Sequence, residues 1–207
     1  MLYNLIMPKK KTPRRTQAER TRASREKIIH SAMDSFAQKG FRGAKMADIA
    51  QAAHLTGPGL LHHFPSKAHL LMEVLKERDR IHKEQTDATL QKNNNDILEV
   101  AAELVEQNQA TPGMIQLFNL LVAESVSEEH PAHGYFTERY HNGREAWVKI
   151  IAERQKDGDI RTDISADDLG VLLFVMMDGL QVQWLMEPEK IEMARIFRVF
   201  VNLLKSR

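Results

Sequence analysis

Apolar residues recur every three to four positions through most of this chain, the period of helices with one buried face. From Arg25 the pattern is helical, and Ile29, Ala32, Met33, Phe36 and Ala37 share one side. Thr16 and Glu19, just upstream, have the spacing of a capping box. Gly40 is placed to end the helix in a left-handed conformation, with Phe41 folding back onto it. A second helix is expected from about Met46 to Ala53, with Met46, Ile49, Ala50 and Ala53 inward. The turn falls at His54 and Leu55, and Thr56 is a good N-cap for a short third helix. Pro58 sits in its first turn, where no intrahelical donor is lost. Leu60 and Phe64 anchor that helix inward, and Pro65-Ser66 stop it. Ser66 caps a fourth helix, striped by Leu71, Val74, Leu75 and Ile81 up to the asparagine run at 93–95.

Further along, Asp96 to about Gln109 reads as a one-sided helix carrying Ile97, Val100, Ala101, Leu104 and Val105. Thr111-Pro112-Gly113 breaks it, and Met114 to Val122 is apolar nearly all round, as in a helix buried inside a bundle. Pro131 opens a long helix with Phe136, Tyr140, Trp147, Ile150 and Ile151, closed by a turn at Lys156–Asp159. The last two helices, about Ala166–Met186 and Glu189–Lys205, are parted by Pro188. Their apolar faces are broader than one small bundle needs, so part of that surface is expected to be a dimer face. The fold class is therefore all-α: an N-terminal three-helix helix-turn-helix head followed by a helical-bundle regulatory domain. The expected divisions are 1–18, a disordered basic arm; 19–66, the DNA-binding head; and 67–207, the ligand-binding and dimerisation body.

The stretch GF…ADIAQAAHLTGPGLLHHFPSKAHLL resembles the head of the tetracycline-repressor (TetR) family of bacterial transcription regulators. The resemblance runs from Lys27 to about Leu71. It rests on the glycine after the first helix, D-I-A, the short third helix, H-H-F and S-K-x-x-L-L, in order and at the right spacing. More loosely, LFNLLVAESV, HPAHGYFTERY and MMDGLQVQWL are similar to segments of that family's ligand-binding body. The resemblance implies a four-helix dimer interface made by the last two helices of each copy. It also marks departures. His54 stands where most members have a glycine, Ala44 and Lys45 where two hydroxyl residues sit, and Leu61 where a tyrosine touches the DNA backbone.

Charge sharpens the picture. Residues 1–80 hold 16 Lys and Arg against 7 Asp and Glu, and the remainder 13 against 21, although the whole chain is only +1. A basic head on an acidic body suggests that the head alone meets a polyanion. Residues 8–25 carry eight basic side chains and one acid, a composition for either a phosphate-neutralising arm or a plain solvated tail. The chain has no cysteine, which excludes disulfides and thiolate metal sites. No apolar run approaches the roughly 20 residues that a membrane helix needs, and a cytoplasmic protein without cofactor or metal is expected.

In a helix-turn-helix the second helix enters the major groove and its N-terminal residues meet base edges. The candidate DNA contacts are Lys45, Thr56, Gly57, Pro58, Gly59, Leu61, His62, His63 and Lys67. Gly57 and Gly59 offer no side chain, so shape readout gains weight, and Thr56 or Pro58 is placed to touch a thymine methyl. Lys67, in the first turn of the fourth helix, is a candidate phosphate contact. Phe118, Trp147, Met177 and Gln181 are candidate effector contacts, set against a plain core role for each. The expected function is a ligand-responsive regulator, a repressor, binding a palindromic operator as a homodimer and released by a small-molecule effector. The alternative is an all-helical enzyme acting on a small molecule through Glu124, His130 and His133. A weaker third reading, a basic arm on an anionic membrane, lacks an interleaved apolar face.

Overall fold

The structure is a computed structural model and describes residues 16–92 and 97–205. Among these residues there are nine helices: α1 (Gln17–Gly43), α2 (Met46–Ala52), α3 (Gly57–His63), α4 (Lys67–Lys92), α5 (Ile97–Gln109), α6 (Pro112–Ser125), α7 (His133–Lys156), α8 (Ala166–Met186) and α9 (Met193–Leu204). The only pairing of extended backbone among them is an isolated antiparallel bridge from Ile160 to Lys205. The all-α expectation holds. Most of the basic arm and the asparagine run lie outside the described residues, and Thr16 to Ala18 already belong to the start of α1.

The capping box closes as its spacing predicts. Thr16 Oγ1 accepts from the Glu19 N–H at 3.2 Å, and Glu19 accepts from the Thr16 N–H at 2.7 Å. The inner face of α1 is Ile28, Ala32, Met33, Phe36 and Ala37, so Ile28 takes the place expected of Ile29, which is half-buried. Gly40 has φ 67° and ψ 177°, a combination nearly confined to glycine, and the regular helix ends there. Phe41 turns back to pack its ring 5.9 Å from that of Phe36.

In the body, Pro112 begins α6 instead of merely breaking the chain, because a helix's first turn needs no N–H from it. α7 starts at His133, two residues after the expected Pro131. α9 starts at Met193, later than the expected Glu189, after turn bonds from the Lys190 and Ile191 N–H groups to the Glu187 carbonyl. Its inner stripe of Met193, Phe197, Val201 and Leu204 is strictly one-sided.

Two hydrophobic cores result, and they do not part where head meets body. One joins α1–α4 to Leu117, Phe118 and Leu121 of α6 and to Phe136 of α7. The other gathers α5, Ile115, Ile151 and the inner faces of α8 and α9. α6 belongs to both. α8 is also, by length and composition, long and apolar enough to cross a membrane, against the expectation that no segment would be. Its apolarity has two sides. Leu169, Leu173, Leu180 and Trp184 are buried, whereas Val171, Val175, Val182 and Met186 face outward.

Candidate nucleic-acid interface

The turn between α2 and α3 depends on His54, whose φ of 58° puts it in the left-handed region, as its place in the motif predicts. Its backbone N–H bonds to Gln51 and that of Leu55 to Ala50, closing the end of α2. Thr56 then caps α3, its Oγ1 accepting from the Gly59 N–H at 3.2 Å. Leu60 and Phe64 are fully buried beneath the helix. Thr56, Gly57, Pro58, Leu61 and His62 are left on the exposed side, with Gly59 and His63 half-buried beside them. Leu61 is 49% exposed, a large apolar side chain held out to solvent at the middle of the unit. A Cβ built on Gly57 meets nothing within 4 Å, so packing does not demand that glycine. Lys45 is exposed at the N-cap of α2. Ala44 is buried, so the hydroxyl expected in the family at that position has no counterpart at the surface.

Three side chains hold this unit in place. The Arg25 guanidinium lies 4.4 Å over the Phe64 ring, donates to the His63 carbonyl at 3.0 Å and pairs with Glu73 at 3.0 Å. It thereby ties α1 to the end of α3 and to α4. Lys39 pairs with Asp48 across α1 and α2. Lys67 donates to the carbonyls of Ala44 at 2.9 Å and Arg42 at 3.3 Å, with its ammonium 4.6 Å over the Phe41 ring. Lys67, predicted from the sequence as a phosphate contact, is thus already engaged with its own backbone. Arg25 was missed, because its partners lie 38 and 48 residues away. Burial, with the charges of His62 and Arg25, lowers the His63 pKa, so its ring is neutral at pH 7.

The body contains a cavity of about 710 Å³ between α4, α5, α7 and α8. Ile97, Val100, Ala101 and Leu104 form one apolar wall, and Trp147, Ile150, Phe174 and Met177 the other. Trp147 and Met177, two of the four candidate effector contacts, line this cavity. Phe118 and Gln181 do not line the cavity. The Phe118 ring is covered by the guanidinia of Arg78, at 4.1 Å, and Arg139, at 5.4 Å. Gln181 is buried and accepts from the Asn119 amide at 3.2 Å. Gln181 faces inward from α8, whose Phe174 and Met177 reach the cavity, whereas α6, which carries Phe118, contributes no residue to the lining. The polar end of the cavity is Asp79, His82, Tyr135 and Arg139. Asp79 accepts from Tyr135 and from Arg139 at 2.9 Å, and pairs with buried Arg78 at 3.2 Å. Burial and the nearby Arg78 and Arg139 push the His82 pKa down to about 4, so it presents a neutral imidazole.

Residues 28–74, the segment from the inner face of α1 into α4, match the family model for bacterial regulatory proteins of the tetR family. That segment belongs to the tetR family of bacterial regulatory proteins. The chain's curated relatives include the transcriptional regulator CymR of Pseudomonas putida, 25% identical over 94% of this chain and 95% of the relative. The regulator RutR of Escherichia coli is 37% identical, but over 30% of this chain and 31% of its own length. Among solved structures, a transcriptional regulator from Saccharomonospora viridis in complex with choline superposes with a TM-score of 0.73 at 24% identity, covering 89% of this chain and 98% of that one. A SmeT–triclosan complex gives 0.72 at 14% identity, covering 89% and 92%. These likenesses are of fold.

In this chain the residues of the enzymatic alternative serve other ends. Glu124 accepts from the backbone N–H groups of Phe41 at 2.6 Å and Arg42 at 3.2 Å. His133 Nδ1 lies 2.9 Å from the Ser125 carbonyl, and His130 Nδ1 accepts from the Ala132 N–H. Neither ring comes within hydrogen-bond distance of Glu124, the nearer being His130 Nε2 at 3.9 Å. Among the described residues no group of three metal-binding side chains converges.

Proposed function

We propose that this TetR-family transcriptional regulator acts as a homodimer on a palindromic operator, with repression lifted when an effector fills the α4–α8 cavity. The observation that carries the reading is that α4 serves both ends. Its first residue, Lys67, holds the loop before α2, and its Asp79, His82 and Thr86 line the cavity. An effector that prefers one setting of α4 therefore biases the head, by no more than its differential affinity for the two states. The cavity size falls within the roughly 300–1,000 Å³ of small-molecule sites. Its walls are apolar, its Asp79 carboxylate is paired with Arg139, and His82 is uncharged, while Glu138, Asn108 and Asn142 add polar groups to the lining. That chemistry suits an uncharged, largely apolar molecule with one hydrogen-bonding group for His82.

At the head, Thr56, Pro58 and Leu61 would meet base edges or thymine methyls, and Lys45, His62 and the N-terminal end of α3 the phosphates. Dimerisation through the outer faces of α8 and α9 would set two heads about 34–36 Å or a multiple apart, on one side of the duplex. The protein would work in the cytoplasm, where that DNA is. The test is a gel shift on DNA upstream of the protein's own gene at two salt concentrations. Sequence-specific retention that weakens steeply with salt is expected. Retention no better than on unrelated DNA at low salt would overturn the reading.

A further inference from the structure

At Gly40 the chain leaves α1 with positive φ, and the next two backbone N–H groups have no helical carbonyl behind them. Both oxygens of the Glu124 carboxylate, from the far end of α6, take up those N–H groups. The fit is close. The positive φ calls for glycine, and a Cβ on Gly40 would stand 2.5 Å from Glu124 Oε1 and so displace the carboxylate. From the opposite side Lys67 binds the carbonyls of Arg42 and Ala44. The segment that leads into α2 is thus gripped by its donors from α6 and by its acceptors from α4. His130 packs edge-on against Phe41, with ring centroids 5.0 Å apart, and leaves the carboxylate free for the backbone. Two turns back along α6, Phe118 lies under Arg78 and Arg139, which pair with Asp79 at the cavity wall.

We propose that Glu124 is the positioning residue through which α6 sets the orientation of the DNA-reading head on the effector-binding body. Its functional sense rests on the DNA-binding reading, but the positioning can be measured without DNA. The chain has no cysteine, so spin labels at Gln51→Cys on α2 and Lys149→Cys on α7 are unique. Pulsed electron resonance would compare label-to-label distances in the parent, in Glu124→Gln and in Glu128→Gln, an exposed neighbour. Glutamine keeps one acceptor but turns an NH₂ against the second backbone donor. The distribution is expected to broaden for Glu124→Gln alone, and equal widths in all three would overturn the proposal. A duplex selected by the parent from a random-sequence library should bind Glu124→Gln about tenfold more weakly. Weaker binding without broadening would also overturn it. A parent that selects no duplex would refute the DNA reading and leave the distance measurement to decide the positioning. Should Glu124→Gln fail to fold, amide exchange in the unaltered protein decides. Phe41 and Arg42 N–H groups protected like the α1 core support the grip, and exchange at the rate of an open chain overturns it.

Discussion

Two of the three donors on the Lys67 ammonium are occupied by the Ala44 and Arg42 carbonyls, so its charge is structural before it is anything else. Lys67→Ala should lower Tm by about 2–4 °C, the equivalent of about 1 kcal/mol in a chain of this size. The salt slope of DNA binding should change by less than one unit. An unmoved Tm with a full unit lost from the slope would mark a simple phosphate contact instead. His82 offers a second test. Its folded-state pKa of about 4 lies below the ordinary 6.5, so the unfolded chain binds more protons between those values. Stability from this group is complete above pH 6.5 and is lost as pH falls toward 4, by about 3 kcal/mol. His82→Gln should flatten that part of the stability profile in chemical denaturation, and an unchanged profile would show the ring to be freely protonated in the fold.

Helix α8 shows what packing adds to a pattern. Gly170 lies against α7, where a Cβ would stand 2.8 Å from Val148 Cγ2 and 3.6 Å from the Val148 nitrogen. Gly170→Ala should therefore cost about 1–3 kcal/mol, despite the better helix propensity of alanine. A gain in denaturation midpoint would show that α7 can move aside. The helices themselves were legible because their periods, caps and breakers agree. Thr16 with Glu19, Gly40, Thr56 with Pro58, and Ser66 all end or begin helices where their chemistry requires it. Which face of a broad apolar helix meets which neighbour was not legible. Phe118 and Gln181 carry the right residue types for a cavity wall and point elsewhere, because two guanidinia and Asn119 claim them first. The role of Glu124 was beyond reach for a related reason. Its partners are backbone N–H groups 82 and 83 residues away, and no side-chain pattern announces a backbone donor.

At the scale of the whole molecule, the outer sides of α8 and α9 leave Val171, Val175, Val182, Met186, Val199 and Leu203 in solvent. Gly179, open on the same side of α8, would let a second helix cross closely. Val175→Glu should give a folded monomer in sedimentation velocity at micromolar concentration, whereas the parent should sediment as a dimer. A parent that sediments as a monomer would defeat the dimer. The interior has its own lesson. One core runs without a break from the helix-turn-helix into α6 and α7, and Glu124 occupies the space beside Gly40, 2.5 Å from where a Cβ would stand. A head transplanted onto a body lacking the carboxylate would meet it with two bare N–H groups. A head with alanine at the joint would drive a methyl into the carboxylate. Chimaeras that exchange heads between relatives should therefore work only when both residues travel together, so the unit of inheritance is the joint and not the domain.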